Sequence, residues 1–155
     1  MGLGCGLVQV TPDEVRRLRR EPAWYPERRP LESYSLGKVW HGLHYLLTGS
    51  AESGAPPLDV FAVAIRQLRT GAEGRHTLDP GQVKELHRAL ESITPDTLRL
   101  RWDPDRMASA GVYWADYFQS HPDSEYGHQL ALFAEVKGFV AEAASHNMGL
   151  LVEVG

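Results

Sequence analysis

One twelve-residue stretch, KVWHGLHYLLTG at residues 38–49, constrains the fold of this chain more than any other. It holds two aromatic residues, two histidines and three leucines, and it ends at a Thr-Gly pair. Such a density predicts a helix that is buried over most of its circumference, because an exposed helix keeps a broad polar face. The histidines His41 and His44 would then lie within an otherwise apolar surface.

The composition is that of an ordinary globular protein. At 155 residues the chain has the length of one domain, and a domain of this size buries roughly 70% of its unfolded surface. The formal net charge is −4, which argues against a nucleic-acid binder, because phosphate neutralisation needs a surplus of basic residues. The one basic run, RRLRR at residues 16–20, is best explained as the solvated face and positive end of a helix.

The chain carries no pattern for export or membrane insertion. Its start, MGLGCGLVQV, lacks a basic segment and a cleavage site, and no apolar run approaches the ~20 residues that a membrane span needs. Cys5 is the single cysteine, so an intramolecular disulfide cannot form. We therefore expect a cytoplasmic protein with no membrane partner.

Hydrophobic periodicity and turn signals predict two terminal strands with helices between them. The predicted strands are 2–10 and 149–154, and the predicted helices are 11–20, 35–49, 58–71, 79–93, two short helices that begin at Thr94 and Asp103, and 124–146. Ser35 is the expected cap of the second helix, residues 21–33, 50–57 and 71–77 are expected loops, and 112–122 is aromatic-rich and unassigned. Because strands need partners, the first should pair with the last. The prediction is a helix-dominated α+β single domain over residues 1–155, with a small sheet that pairs the N-terminal and C-terminal strands.

His41 and His44 are the first candidates for chemistry. Three residues apart on a helix, they lie on one face and could begin a metal site, although zinc needs a further ligand. The H-E-x-x-H signature is absent. The alternative is a core histidine whose ring bonds to a backbone carbonyl or a carboxylate.

A second cluster, His121, Glu125 and His128, resembles ligand spacing, but Pro122 and Gly127 interrupt it. A solvated helix entry is the favoured explanation of these residues. No other catalytic motif is present: the chain has no G-x-S-x-G elbow and no phosphate loop, and Cys5 is expected to be a small buried hydrophobe. Gly2, Gly4 and Gly6 alternate, which favours a close approach of a neighbouring strand or helix.

The aromatic residues of the unassigned segment are the remaining candidates. Tyr113, Trp114, Tyr117 and Phe118 surround Asp116, and not all of these rings can point inward from a short segment. They form either a pocket wall or partner surface, or a satellite hydrophobic cluster beneath the last helix.

Several motifs in order resemble the YfbM-like family of uncharacterised bacterial proteins. They are the Met-Gly start that leads into the first strand, W-x-x-L-H-x-L-L-T-G at 40–49, LESITPDTLR at 90–99, D-P-x-x-M at 103–107 and the Gly-Val-Tyr that follows. The resemblance covers nearly the whole chain and implies a small soluble bacterial protein of mixed α and β structure. It implies no catalytic residues, because the family has no established activity.

The sequence therefore favours a non-catalytic binding or interaction domain, with an unidentified protein or small-molecule partner and no cofactor or metal. Its oligomeric state is expected to be monomer or homodimer. The expected contact residues are Trp40, His41, His44, Tyr45, Tyr113, Trp114, Asp116 and Tyr117. The alternative is an enzyme in which His41 or His44 is a general base, or a metal ligand together with His128 and a carboxylate such as Glu125 or Asp116.

Overall fold

The first and last strands pair along their whole length, as the sequence predicts. The structure, a computed structural model, describes residues 3–26, 32–70 and 75–155. Strand β1 (Cys5–Val10) runs antiparallel to β4 (Gly149–Val154), with Cys5 opposite Val154 at one end and Val10 opposite Gly149 at the other. The two ends of the chain therefore form the centre of the sheet.

Two further strands complete the sheet at its edges. Strand β2 (Ser33–Gly37) pairs with β1, and β3 (Arg75–Leu78) pairs with β4, so the described sheet has the order β2-β1-β4-β3 and is antiparallel throughout. Neither edge strand was predicted. Both segments were expected to be loop or helix entry, because each is short and lacks a run of β-branched residues.

The helices follow the predicted order, but the described residues form eight helices where seven were predicted, because the unassigned aromatic-rich segment contains one more. They are α1 (Pro12–Arg20), α2 (Trp40–Thr48), α3 (Ala62–Thr70), α4 (Pro80–Glu91), α5 (Pro95–Arg101), α6 (Pro104–Ser109), α7 (Ala115–Ser120) and α8 (Pro122–Ser145). Residues Thr11 and Asp79 close capping boxes at α1 and α4, each followed by proline. The chain leaves α8 through Asn147, which has a φ of 53°.

Three details of the prediction were wrong or lie outside the described residues. Ser35 belongs to β2, where its hydroxyl accepts from the Gly37 N–H, and α2 begins at Trp40 without a side-chain cap. Helix α3 begins at Ala62, later than the periodicity indicated. Of the predicted loops, residues 27–31 and 71–74 lie outside the described part of the chain.

The two faces of the sheet are covered unequally. Side chains of Cys5 and Leu7 point into the main core, which the large helical layer of α2–α8 supplies. The other face carries a small second cluster, in which Val8 and Leu151 pack against Val15 of α1. Among the described residues, the nine-residue α1 is too short to cover the whole of this second face.

Candidate functional site

Both ring nitrogens of His41 are bonded to the backbone. Its Nε2 lies 2.7 Å from the carbonyl oxygen of Ala51, and its Nδ1 accepts the N–H of Tyr113 at 2.8 Å. Because Nδ1 accepts, the single ring proton must lie on Nε2 and donate to Ala51. The ring has no exposed surface, and burial lowers its pKa below the ordinary value.

His44 lies one turn further along α2 and is equally buried. Its Nε2 is 3.1 Å from the carbonyl oxygen of Ser53 and 3.4 Å from the hydroxyl of Thr48. Burial, with the neighbouring His41 as a smaller cause, lowers the pKa of His44 to about 4. Both histidines thus hold the turn after α2, which confirms the alternative of core histidines bonded to backbone carbonyls. Neither is exposed to a substrate, so the geometry gives the general-base hypothesis no support.

The remaining predicted residues of α2 are also part of the core. Trp40 is fully buried and donates its Nε1–H to the carbonyl oxygen of Leu3 at 3.0 Å, and Tyr45 is almost fully buried. The hydroxyl of Tyr113 accepts the N–H of the same Leu3, also at 3.0 Å. Trp40 and Tyr113 therefore bind the carbonyl and the N–H of Leu3, the residue that leads into β1.

The aromatic residues around α7 form a series of ring contacts that runs from the core to the surface. The rings of Trp40 and Tyr113 are 6.4 Å apart, those of Tyr113 and Trp114 are 5.8 Å apart, and those of Trp114 and Tyr117 are 6.1 Å apart. Tyr117 in turn stacks on His121 at 4.5 Å. We name the outer three residues, Trp114, Tyr117 and His121, the aromatic strip. Trp114 is half-buried, whereas Tyr117 and His121 are exposed; the exposed fraction of Tyr117 is 41%.

Two features hold the strip in place. Trp114 precedes α7 with a φ of 72°, a left-handed conformation that is rare for a bulky residue and costs of order 1–3 kcal/mol. The Nζ of Lys38 lies 4.8 Å from the centre of the Trp114 ring. Asp116 is exposed in the first turn of α7, beside the strip.

The second histidine cluster is separate from the first. His121 joins α7 to α8, and His128 Nδ1 is 3.5 Å from the buried carboxylate of Glu125. The His41 and His44 rings contact each other and the loop after α2. Within residues 3–26, 32–70 and 75–155, no group of three or more His, Cys, Asp or Glu side chains is arranged to hold a metal ion.

A cleft that the sequence did not predict lies on the face of the sheet that carries α1. It has a volume of about 390 Å³ and is lined in part by Gly4, Gly6, Tyr25, Ser35, Arg75 and Glu153. The signal that could have located it is the alternation of Gly4 and Gly6, which leaves one face of the chain without side chains at two successive positions. Cys5 also borders this cleft, but its side chain is buried, and burial raises the pKa of the thiol to about 12.

Among the described residues, no helix has the length and apolar character required to span a bilayer.

Comparisons with known proteins agree with this architecture. The structure is similar to that of YfbM from Escherichia coli, a protein of unknown function, with a TM-score of 0.68 and 13% sequence identity over 96% of this chain and 97% of that chain. At this identity the likeness shows the fold alone. No curated protein matches the chain. A family model described as a domain of unknown function, DUF1877, matches residues 1–153, and the chain therefore belongs to this family of YfbM-like domains.

Proposed function

We propose that this protein is a non-catalytic interaction domain that binds a protein partner through the aromatic strip. The observation that carries the proposal is the exposed stack of Tyr117 on His121, next to the half-buried ring of Trp114. Tyrosine and tryptophan are enriched where protein interfaces derive most of their binding energy, because they combine a large apolar area with a polar tip.

The rigidity of the strip supports this role. A ring that is already fixed before binding loses little conformational freedom when a partner covers it. Trp114 is fixed by its left-handed backbone and by Lys38, and Tyr117 by its stacking on His121. The strip is also connected to the core, because Trp114 contacts Tyr113 and Tyr113 contacts the buried Trp40. In this proposal Trp40, His41, His44 and Tyr45 contribute as the buried support of the surface, whereas Tyr113, Trp114, Asp116 and Tyr117 form it.

The charge around the strip favours a protein partner over a nucleic acid or a lipid surface. The chain has a net charge of −4, and the exposed Asp116 and Asp123 lie beside the rings. Binding of a phosphate-bearing partner needs clustered cations, whereas Lys38 at Trp114 is one cation beside two carboxylates. The proposal keeps the expectation of a bacterial cytoplasmic protein, in keeping with its lone buried thiol.

The test is affinity capture from an extract of the native host with three forms of the protein: wild type, Tyr117→Ala and Leu100→Ala. Leu100 is 88% exposed on α5 and serves as a matched control for the loss of an exposed apolar side chain. We expect a partner that wild type and Leu100→Ala retain equally and that Tyr117→Ala retains about tenfold less, which corresponds to about 1.4 kcal/mol. Thermal unfolding should be unchanged in both variants.

Sedimentation velocity of the purified protein tests whether the partner is a second copy of the chain. A dimer that Tyr117→Ala dissociates would identify the strip as a homodimer interface. If every captured protein is insensitive to Tyr117→Ala, and the oligomeric state is too, the aromatic strip is not the contact surface.

A further inference from the structure

Carboxylates are concentrated around the outer end of the aromatic strip, which Tyr117 and His121 form. Helix α7 has Asp116 in its first turn, and α8 has Asp123 and Glu125 in its first turn. His121 stands between the two helices, because it ends α7 and precedes α8. All three carboxylates therefore begin from backbone that is next to the two rings in the chain.

The two exposed carboxylates are available to a cation from outside. Asp116 and Asp123 form no ion pair within the described part of the chain, whereas Asp13, at the same second position of α1, pairs with Arg16. The helix dipole favours an acid at this position, so the two carboxylates alone do not define a site. The rings beside them supply the second observation.

Tyr117 lacks a cation that a comparable ring of the same chain has. The exposed fraction of Tyr25 is 42% and that of Tyr117 is 41%, and the guanidinium of Arg75 lies 4.0 Å from the centre of the Tyr25 ring. Among the described residues, no cation lies over the Tyr117 ring, whose partners are the rings of Trp114 and His121. A tyrosine of this exposure thus accepts a guanidinium, and Tyr117 has carboxylates beside it instead.

Glu125 strengthens the negative potential at the outer end. Its carboxylate is 7% exposed, and its Oε2 has no hydrogen-bond donor among the described residues. His128 Nδ1 lies 3.5 Å from this oxygen, and that ring is charged only when protonated. Buried charges are screened less than exposed ones, so the field of Glu125 adds to that of Asp116 and Asp123.

Lys38 gives the strip a direction. Its Nζ lies 4.8 Å from the centre of the Trp114 ring, at the inner end of the strip. The inner end is therefore positive and the outer end negative, so a cation from a partner is favoured at Tyr117 and His121 rather than at Trp114.

The combination of rings and carboxylates favours arginine over lysine. A guanidinium is planar, so it can stack on a ring while its N–H groups donate to carboxylates beside that ring. The ammonium of lysine is a compact and strongly hydrated charge, which makes the ion pair but not the stack.

We propose that the partner of the aromatic strip presents a basic segment, with an arginine stacked on Tyr117 and His121 and paired with Asp116 and Asp123. This inference rests on the proposed function, because it specifies the chemistry of the segment that the strip binds.

Four short peptides separate the charge of the bound side chain from its shape. Their sequence is Gly-Xaa-Gly-Xaa-Gly with blocked ends, where Xaa is arginine, citrulline, lysine or glutamate. Citrulline is the matched control, because it has the planar shape of arginine without the charge. Each peptide is titrated to millimolar concentrations into the full-length ¹⁵N-labelled protein at one pH and one ionic strength, and amide chemical shifts are followed.

We expect the arginine peptide to shift the amides of Asp116, Tyr117 and His121, and the citrulline peptide to bind about tenfold more weakly. The lysine peptide should bind more weakly than the arginine peptide, and the glutamate peptide should leave these amides unshifted.

One double variant tests the carboxylates. Asp116→Asn combined with Asp123→Asn keeps the size of both side chains and should lower the affinity for the arginine peptide about tenfold. The matched control is Asp96→Asn, which removes an exposed acid at the same second position of α5 and should leave the affinity unchanged. Melting temperatures verify that both proteins are folded, since each substitution removes only the small helix-dipole contribution of an acid.

Four results of the titrations would overturn the inference. They are the absence of shifts at the strip with the arginine peptide, equal binding of the arginine and citrulline peptides, stronger binding of the glutamate peptide, and arginine binding that is undiminished in the folded double variant.

The capture experiment with the double variant separates this inference from the proposed function. If Tyr117→Ala loses the captured partner and the double variant retains it, the strip is an interface for a partner that is not basic there, so this inference fails and the proposed function stands. If both variants lose the partner and the arginine peptide displaces it from the wild type, both are supported.

Discussion

The backbone N–H of Tyr113 donates to Nδ1 of His41 across 72 residues of the chain, and this bond joins α2 to the segment that carries the aromatic strip. The opposite nitrogen of the same ring bonds to Ala51. One buried imidazole thus links three parts of the chain: α2, the loop after it and the segment before α7. His41 is therefore a structural residue, although its residue type first suggested catalysis.

The first prediction concerns the removal of this link. His41→Ala would leave the Tyr113 N–H and the Ala51 carbonyl without partners in the core, in addition to a cavity. Each unsatisfied group costs about 1–3 kcal/mol, so we expect the free energy of unfolding to fall by about 3 kcal/mol or more in urea denaturation followed by tryptophan fluorescence. Leu100→Ala should change it by less than about 0.5 kcal/mol. A loss below about 1 kcal/mol for His41→Ala would contradict the structural role.

The second prediction concerns pH. The folded state holds the pKa of His44 at about 4, against about 6.5 when the chain is unfolded, so the unfolded state binds the proton more readily. Stability from this group is fully present above pH 6.5 and is lost as the pH falls toward 4. The difference between the two pKa values corresponds to about 3 kcal/mol. Burial lowers the pKa of His41 in the same direction, so its loss adds to that of His44.

Urea denaturation between pH 7.5 and pH 4 measures this loss. In His44→Gln, the amide can still donate to the Ser53 carbonyl but does not titrate. The variant should therefore be less stable than wild type at pH 7.5 and should lose distinctly less stability on acidification. If the free energy of unfolding falls equally with pH in wild type and variant, the titration of His44 is not the cause of the pH dependence.

The sequence correctly predicted the elements whose starts and ends depend on neighbouring residues in the chain. The capping box at Thr11 and the left-handed Gly49 after α2 lie where residue types alone place them. The pairing of β1 with β4 was predicted by elimination, because two terminal strands with only helices between them have no nearer partner.

The edge strands were missed because nonlocal contacts determine them. Strand β3 reads RHTL and has no apolar alternation; its extended form comes from pairing with β4. In β2, the same Ser35 that resembles a helix cap bonds to the Gly37 N–H instead, and the strand exists because β1 is beside it.

The candidate site was only partly predictable for a related reason. The sequence indicates that residues 113–118 cannot all be buried, and the structure agrees that Tyr117 and Asp116 are exposed. It could not show that Trp114 takes a left-handed backbone, which turns its ring toward Lys38. Nor could it show the cleft, because that site depends on the register of four strands, two of which were not recognised.

The third prediction compares two glycines in helices. A Cβ at Gly42 would lie 2.7 Å from Nε2 of Gln129 and 2.8 Å from the Phe118 ring, and both of these side chains are fully buried and cannot retreat. The overpacking costs about 1–3 kcal/mol, against about 1 kcal/mol gained from the helix propensity of alanine.

We therefore expect Gly42→Ala to lower the melting temperature, and to lower the free energy of unfolding by up to about 2 kcal/mol. At Gly127, where an added Cβ meets nothing within 4 Å, the same substitution should raise stability by up to about 1 kcal/mol. A stabilising effect at both positions would contradict the close packing of Gly42 against Gln129 and Phe118.

The fourth prediction concerns the thiol of Cys5. Its side chain is 2% exposed, and burial raises its pKa to about 12, so the reactive thiolate is almost absent at neutral pH. We expect 5,5′-dithiobis(2-nitrobenzoic acid) to react slowly with the native protein and to titrate one thiol within minutes in denaturant, with Cys5→Ser as the reagent blank. Because Cys5 lies in the central strand β1, the native rate should follow the fraction of unfolded protein as urea increases. Rapid labelling in the absence of denaturant would show instead that β1 separates from β2 or β4 in the native state.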